Sequence, residues 1–363
     1  MSRQTHPGSA PMTAARLTKL TLAVLFAQVC LLDVAAARAE TLAPQSAKQR
    51  EREAEQARKV LANREGTYRA KGTFDMSTGL GDQLKPLPMA GEYAAEILFE
   101  GRLVLERSST RFGQSPDVIE TWSLLAYRPN AKFFWQLSCD SSRTPFTYLA
   151  GPSVDGELRL ADPKKTVYSL MAADEAGGWS SKFGLMGSKR PMFTLQMSPV
   201  RMETPVELLA ELQRAPPVPA RLNKRRDDDD KAKHWHEEHA LLARLAGDYE
   251  VKGKKGRVRA RVIAQGRFLI WLTESKGLLQ EVALTGFSGP DGKYAHWRVA
   301  ADDVVPHYFT GAFDKDRLQL DGYGSSGKIL LDLRKADRVK WARRGTGGKG
   351  RVELVRTSAA KQR

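Results

Sequence analysis

The sequence predicts a mainly β protein built as two tandem antiparallel β-barrels, each preceded by a short helix. Short apolar runs broken by Gly, Pro, Asn and Asp recur through both halves, a set of anchor residues appears twice in the same order, and a proline-rich charged stretch lies between the two sets. A length of 363 residues suits two domains of ~100–200 residues each. An apolar content of 41% with 28% charged residues belongs to a globular chain and excludes wholesale disorder, despite a formal net charge of +16.

At the N-terminus, Arg16 and Lys19 precede an apolar run from Leu20 to Leu32, and the small residues Ala35, Ala36, Ala37 and Ala39 follow. That order is the layout of a secretory signal peptide over residues 1–39, cleaved after Ala39. The run falls short of the ~20 apolar residues a spanning helix needs, is broken by Gln28 and is followed by Asp33, so no transmembrane segment is expected after processing. The expected destination is the periplasm or beyond. Processing removes Cys30 and leaves Cys139 alone, which excludes an internal disulfide in the mature chain; Cys139 reads as a small buried strand residue.

Residues 40–59 form a charged lead-in, and its Gln, Lys, Arg, Glu and Ala between Gln45 and Arg58 favour a solvated helix. A first barrel domain is expected over 60–202, with strand-like runs at Tyr93–Phe99, Leu103–Leu105, Thr121–Tyr127, Phe133–Leu137, Phe146–Leu149, Leu158–Leu160, Thr166–Met171 and Met192–Met197. Residues 203–233 form the linker, where three prolines followed by blocks of like charge predict an exposed, mobile spacer. The run Asp227–Asp230 lacks the alternating ligands and the glycine of a calcium loop. A second barrel domain is expected over 234–358. It opens with a helix, since Trp235, Leu241, Leu242 and Leu245 are helically spaced, and strand-like runs continue from Val258–Ile263 to Arg351–Arg356.

The repeat is visible residue by residue. Gly66-Thr67-Tyr68 matches Gly247-Asp248-Tyr249, Gly101-Arg102-Leu103 matches Gly266-Arg267-Phe268, and Trp135 lies near the position of Trp297. Tyr148, Gly151, Leu158 and Leu160 match Tyr308, Gly311, Leu318 and Leu320 at one constant offset.

The second copy resembles a bacterial family known as domain of unknown function 1579, through His239, the run Leu242–Tyr249, Gly266-Arg267-Phe268-Leu269, the Gly286–Tyr294 turn, Trp297 and Tyr308–Gly311. The first copy resembles a diverged member, with Glu65-Gly66-Thr67-Tyr68 where the family has a small residue, glycine and an aromatic residue. The resemblance implies lipocalin-like up-and-down barrels and no agreed activity. Closing a meander also removes its exposed edges, and such a barrel either fills with side chains or holds one small ligand.

Candidate ligand-binding residues are Arg102 and Arg267, which follow the matched glycines, with Trp135, Trp297, Tyr148 and Tyr308. An inward arginine can hold a carboxylate bidentately, whereas an outward one satisfies carbonyls at a barrel mouth; the aromatic residues serve a core equally well. His236 and His239 share a helix face at metal-ligand spacing, without the HExxH pattern of zinc hydrolases. No nucleophile elbow is present, and the Gly345–Gly350 run fails the spacing of a phosphate loop, so no cofactor is expected and a non-enzymatic role is favoured.

Removing residues 1–39 takes away Arg3, Arg16, Lys19, Arg38 and Asp33, a net three positive charges, so +13 remains of the +16. The excess concentrates in residues 232–363, which hold 26 Lys and Arg against 15 Asp and Glu. Arg257, Arg259 and Arg261 alternate, as a basic strand face would, and an exported protein would offer such a face to anionic lipid or lipopolysaccharide rather than to nucleic acid. The leading expectation is therefore a carrier or sensor of a small apolar ligand, with the second barrel the better candidate. The alternatives are an envelope interaction protein using the basic face, and an enzyme with its site in a barrel mouth.

Overall fold

The computed structural model describes residues 47–75, 85–142, 146–200, 206–219, 237–288, 291–323, 327–335, 338–344 and 350–357. The expected signal peptide, His236 and the Asp227–Asp230 run lie outside the described residues.

The chain is mainly β. Helix α1 (Ala47–Ala62) precedes a sheet of eleven strands: β1 (Gly66–Phe74), β2 (Leu87–Leu98), β3 (Leu103–Phe112), β4 (Val118–Arg128), β5 (Phe133–Asp140), β6 (Thr147–Gly151), β7 (Ser153–Val154), β8 (Glu157–Ala161), β9 (Val167–Ala173), β10 (Trp179–Leu185) and β11 (Phe193–Pro199). All neighbours pair antiparallel, β1 pairs with β11, and the sheet curls round until Ala150 on β6 pairs with Ala161 on β8. Helix α2 (Leu208–Arg214) and helix α3 (Glu237–Leu245) follow. Ten further strands form a closed barrel: β12 (Gly247–Val251), β13 (Gly256–Ile263), β14 (Phe268–Ser275), β15 (Leu278–Ser288), β16 (Lys293–Ala300), β17 (His307–Asp314), β18 (Arg317–Gly322), β19 (Lys328–Lys335), β20 (Arg338–Arg344) and β21 (Gly350–Arg356).

The registers of the two sheets correspond position by position. Leu105 lies opposite Leu124 and Leu124 opposite Leu137, as Ile270 lies opposite Leu284 and Leu284 opposite Trp297. The turns match as well: Phe99-Glu100-Gly101 have φ of 54°, 57° and 86°, and Ala264-Gln265-Gly266 have 48°, 53° and 98°. Three left-handed residues in a row place the glycine where φ is most positive, which accounts for the repeated Gly-Arg pair. Gly151 and Gly311 occupy equivalent places, where a Cβ would lie 1.9 Å from the Arg159 carbonyl oxygen and 1.8 Å from that of Gln319. One difference is covalent. β6 and β7 together stand where β17 runs unbroken, because Pro152 accepts a hydrogen bond from Arg159 N–H at 2.9 Å and has no N–H to return.

Alternation along β3 to β5 explains the arrangement of the barrels. Val104, Leu125 and Phe134 face the first lumen, packed with Leu61 of α1, Tyr93, Leu158 and Leu160. The opposite face carries Leu103, Leu105, Leu124, Leu137 and Cys139, and these pack not on water but on Ile270, Leu284, Trp297 and Val299 of the second barrel. The two barrels therefore share one apolar interface formed by their outer walls, and both faces of these strands are buried.

The linker expected to be an exposed spacer contributes to that interface. Leu208 and Leu212 of α2 are buried in it at 0% and 5% exposure. Glu96 on β2 accepts a hydrogen bond from Leu209 N–H at 2.7 Å, so a carboxylate satisfies a free donor at the start of the helix. At its other end Arg261 on β13 donates to the Leu212 and Gln213 carbonyls at 2.9 and 3.2 Å. Each helix end is thus closed by a charge of the favourable sign, one from each barrel.

Strands β1, β10 and β12 escaped the pattern of apolar runs. GTYRAKGTF, WSSKFGL and GDYEV are short in aliphatic residues, and their pairing on both sides, rather than their own hydrophobicity, holds them in the sheet.

Candidate functional site

The lumen of the first barrel has an apolar end and a polar wall. Helix α1 closes the apolar end with Ala57 and Leu61. The chain then turns inward, and Arg64, just before β1, buries its guanidinium among the strands at 5% exposure. Its Nε donates to Glu106 Oε1 at 2.7 Å and its Nη2 to the Tyr93 hydroxyl at 3.0 Å. The guanidinium carbon sits 3.9 Å from the centre of the Trp179 ring. Gln136 donates to the second Glu106 oxygen at 3.2 Å.

Burial opposes the Arg64 charge, but the charge and hydrogen bonds of Glu106 and Tyr93 more than offset it, and the guanidinium is held protonated above its ordinary range. Burial pushes the Tyr93 phenol well above its usual range, against the pull of Arg64. One donor in this centre is left over: the Trp179 indole N–H is buried and has no acceptor among the described residues. Such a group costs about 1–3 kcal/mol unless something accepts from it.

Beyond this centre the lumen-facing positions carry hydroxyls. Ser108 and Thr110 share the face of Glu106, on β4 Thr121 lies opposite Ser108 and Ser123 opposite Glu106, and Ser138 on β5 accepts from Ser123 at 3.1 Å. Ser108, Thr121, Gln136, Ser138 and Thr147 are half-buried, and Gln136 and Ser138 are so although the outward residues on either side of them, Trp135, Leu137 and Cys139, are buried.

The second lumen is occupied by its own side chains. Tyr249, Trp271 and Phe309 are at most 1% exposed and pack with Leu318, Leu331 and Leu354. Helix α3 seals the end with Leu242 and Leu245, and its backbone is fastened by Tyr294, whose hydroxyl donates to the Glu238 carbonyl at 3.0 Å. A short polar chain crosses the interior. Trp271 Nε1 donates to Thr285 Oγ1 at 2.8 Å, and Thr285 meets His296 Nδ1 at 2.8 Å. Burial first, and the nearby Arg298 charge second, lower the His296 imidazole to about 3, so it is neutral at physiological pH. At the far end Glu281 and Arg298 form an ion pair.

The candidate residues read from the sequence lie elsewhere. Trp135 faces outward, and its indole donates to the Val304 carbonyl of the second barrel at 3.0 Å. Tyr148 stacks on Trp297 at 5.3 Å and 9° across the shared interface, and Tyr308 packs against the same indole at 4.6 Å. These four residues join the barrels and line no lumen. Arg102 donates from Nε to the Phe99 carbonyl at 2.9 Å and closes its own turn, while Arg267 caps the equivalent turn through its backbone N–H to Ala264.

The arginine stripe is corrected in the same way. Arg257, Arg259 and Arg261 do share the outward face of β13, but only Arg257 is exposed. Arg259 is paired with Glu274 and lies 3.8 Å from Asp248; Arg261, 2% exposed, binds Asp248 at 2.6 Å as well as the α2 carbonyls. Their charges are neutralised inside the protein and are not available to an anionic surface. His239 is buried edge-on to Phe287, and no group of three or more His, Cys, Asp or Glu side chains suited to a metal gathers among the described residues.

Sequence reasoning missed Arg64, Glu106, Tyr93, Gln136 and Trp179. A signal existed in the repeat: by matched register, Glu106 stands where the second copy has Trp271, and Gln136 where it has His296. A charged residue at a position filled by tryptophan in the other copy marks the lumen that differs.

No protein-family model and no curated protein sequence matches the chain. Among solved structures it is similar to transferrin-binding protein B from Neisseria meningitidis, at 6% identity over 81% of this chain and 77% of that one, with a TM-score of 0.19. It is also similar to a porin-like protein from Bacteroides uniformis, at 8% identity over 80% and 96% with a TM-score of 0.16. A β-barrel-like protein of domain of unknown function 1849 from Brucella abortus matches at 9% identity over 81% and 97%, with a TM-score of 0.14. At these scores the likeness carries no argument about ligand or activity.

Proposed function

We propose that this is an exported, non-enzymatic binding protein that holds a small molecule in the lumen of its first barrel, while the second barrel serves as a filled scaffold. The supporting observation is the polar centre itself. A buried Arg64–Glu106 pair and an indole N–H without an acceptor face a lumen whose wall is half-exposed and hydroxyl-lined. A core built only for stability gains little from such a group, because well-packed apolar residues of similar volume do as well or better. The reading departs from the sequence expectation of an apolar ligand in the second barrel, where Tyr249, Trp271 and Phe309 occupy the interior. The matched registers and turns support descent of both barrels from one domain of the family that the second copy resembles. Export rests on the signal-peptide layout of residues 1–39.

Native mass spectrometry of the mature chain purified from its own host tests the binding claim. A retained small-molecule adduct is expected, and it should be lost from the Arg64→Leu/Glu106→Leu double variant, which removes the polar centre without leaving a lone buried charge. An adduct that survives the double variant places the ligand elsewhere. Fractionation of the host, with the unprocessed chain found in the cytoplasm, would overturn export.

A further inference from the structure

We infer that the first lumen takes a small uncharged molecule rich in oxygen acceptors, a polyol or monosaccharide, rather than a carboxylic acid or an apolar compound. The inference rests on the lumen reading above and deepens it. It follows from which hydrogen-bonding groups the centre has used and which it has left.

Arg64 has five N–H donors in a fixed plane. One serves Glu106 and one serves Tyr93, and the group is held in place by both and by the Trp179 ring beneath it. The group left without an acceptor among the described residues is the indole N–H of Trp179, on a side chain 4% exposed. The leftover group is a donor, and a molecule entering the centre must therefore bring an acceptor to it.

Charge then divides the acceptors. Glu106 already neutralises Arg64 at 2.7 Å, so the centre as a whole carries no net charge. A carboxylate or phosphate placed against the Trp179 donor would stand beside the Glu106 carboxylate as a second buried anion, with nothing left to balance it. Hydroxyl, ether and carbonyl oxygens accept the same hydrogen bonds without that cost.

The remaining wall fits the same class. Ser108, Thr121, Ser138 and Thr147 both donate and accept, and so does the amide of Gln136, which suits ligand hydroxyls that do both. An aromatic or apolar ligand finds no platform in the centre. One face of the Trp179 ring is covered by the Arg64 guanidinium, and Tyr93 meets the ring edge-on at 4.7 Å.

The test titrates the full mature chain by calorimetry with four probes of one skeleton or size: glucose, glucuronate, glucosamine and dodecanoate, supplemented by arabinose, glycerol and myo-inositol. At least one neutral sugar or polyol should bind saturably, with glucuronate at least tenfold weaker than glucose and dodecanoate inactive. Trp179→Phe keeps the ring and removes the donor, and should weaken the neutral ligand about five- to tenfold with its near-ultraviolet dichroism and melting temperature retained. Tighter binding of glucuronate than of glucose overturns the inference. So does unchanged affinity in Trp179→Phe, or silence from every neutral probe at millimolar concentration. The two readings fail separately: an adduct that is lost from the Arg64→Leu/Glu106→Leu variant, yet is charged or apolar, removes the chemical class and keeps the lumen site.

Discussion

Lowering the pH from 7 to 5 should cost the folded protein about 2 kcal/mol through His296 alone. The imidazole is 1% exposed, engaged at Nδ1 with Thr285 and held at about 3 against an ordinary 6.5. Because the folded value lies below the unfolded one, the unfolded chain binds the proton first as pH falls. The neutral-histidine contribution is therefore complete above 6.5 and declines between 6.5 and 3, at about 1.4 kcal/mol per pH unit through most of that window. The perturbation that isolates it is His296→Gln, since Gln136 holds the matching position of the first barrel and an amide can still meet Thr285. Urea unfolding of both proteins at pH 7 and pH 5 should show the wild-type stability falling by about 2 kcal/mol more than that of the variant. Asp332 does not confound the comparison. Its carboxylate is held at about 2 by hydrogen bonds from Arg334, and the stability it contributes is lost only as pH falls below 3.8. Equal pH dependence in the two proteins, or an imidazole titrating near 6.5 by NMR in the folded state, would refute the reasoning.

Charge reversal at two neighbouring arginines should separate a buried role from an exposed one: Arg261→Glu should cost about 3–5 kcal/mol in urea unfolding, whereas Arg257→Glu should stay within about 0.5 kcal/mol. Two tryptophans of the shared interface make a second pair. Trp135→Phe leaves the Val304 carbonyl without its donor, while Trp297→Phe removes an indole N–H that has no acceptor among the described residues, so the first should cost about 1–2 kcal/mol more than the second. Leu208→Ala should lower stability by about 2–5 kcal/mol, and a value near zero would show that the linker helix does not hold the barrels together.

Much of the fold was legible because alternation and repeat are local signals. The strand runs, the helix before each barrel and the matched Gly-Arg turns all follow from residue order. Facing was not legible for β3 to β5, where LVL in Leu103–Leu105 is apolar on both sides; only the second barrel explains why the outer face is buried. The arginine stripe failed for a related reason. Its alternation was correct, but Asp248 and Glu274 sit on the neighbouring strands and the α2 carbonyls come from the linker, so the compensating charges are distant in sequence. The linker helix carried its own signal in Val206, Leu208, Leu209 and Leu212 at helical spacing, which the adjoining prolines obscured. For the candidate site, matched tryptophans and tyrosines marked the shared interface, and the polar centre lay among residues the repeat does not conserve between its copies.

The shared wall also sets a timetable for synthesis. The first barrel is complete in the chain by residue 200, yet the partner for its outer face ends only at β21. At ~5–20 residues per second, the remaining stretch takes on the order of ten to thirty seconds to emerge. Throughout that interval Leu103, Leu105, Leu124 and Leu137 form a bare aliphatic panel on an otherwise finished domain. An exposed apolar panel of this kind is an aggregation liability, and a fragment ending at residue 200 keeps it permanently.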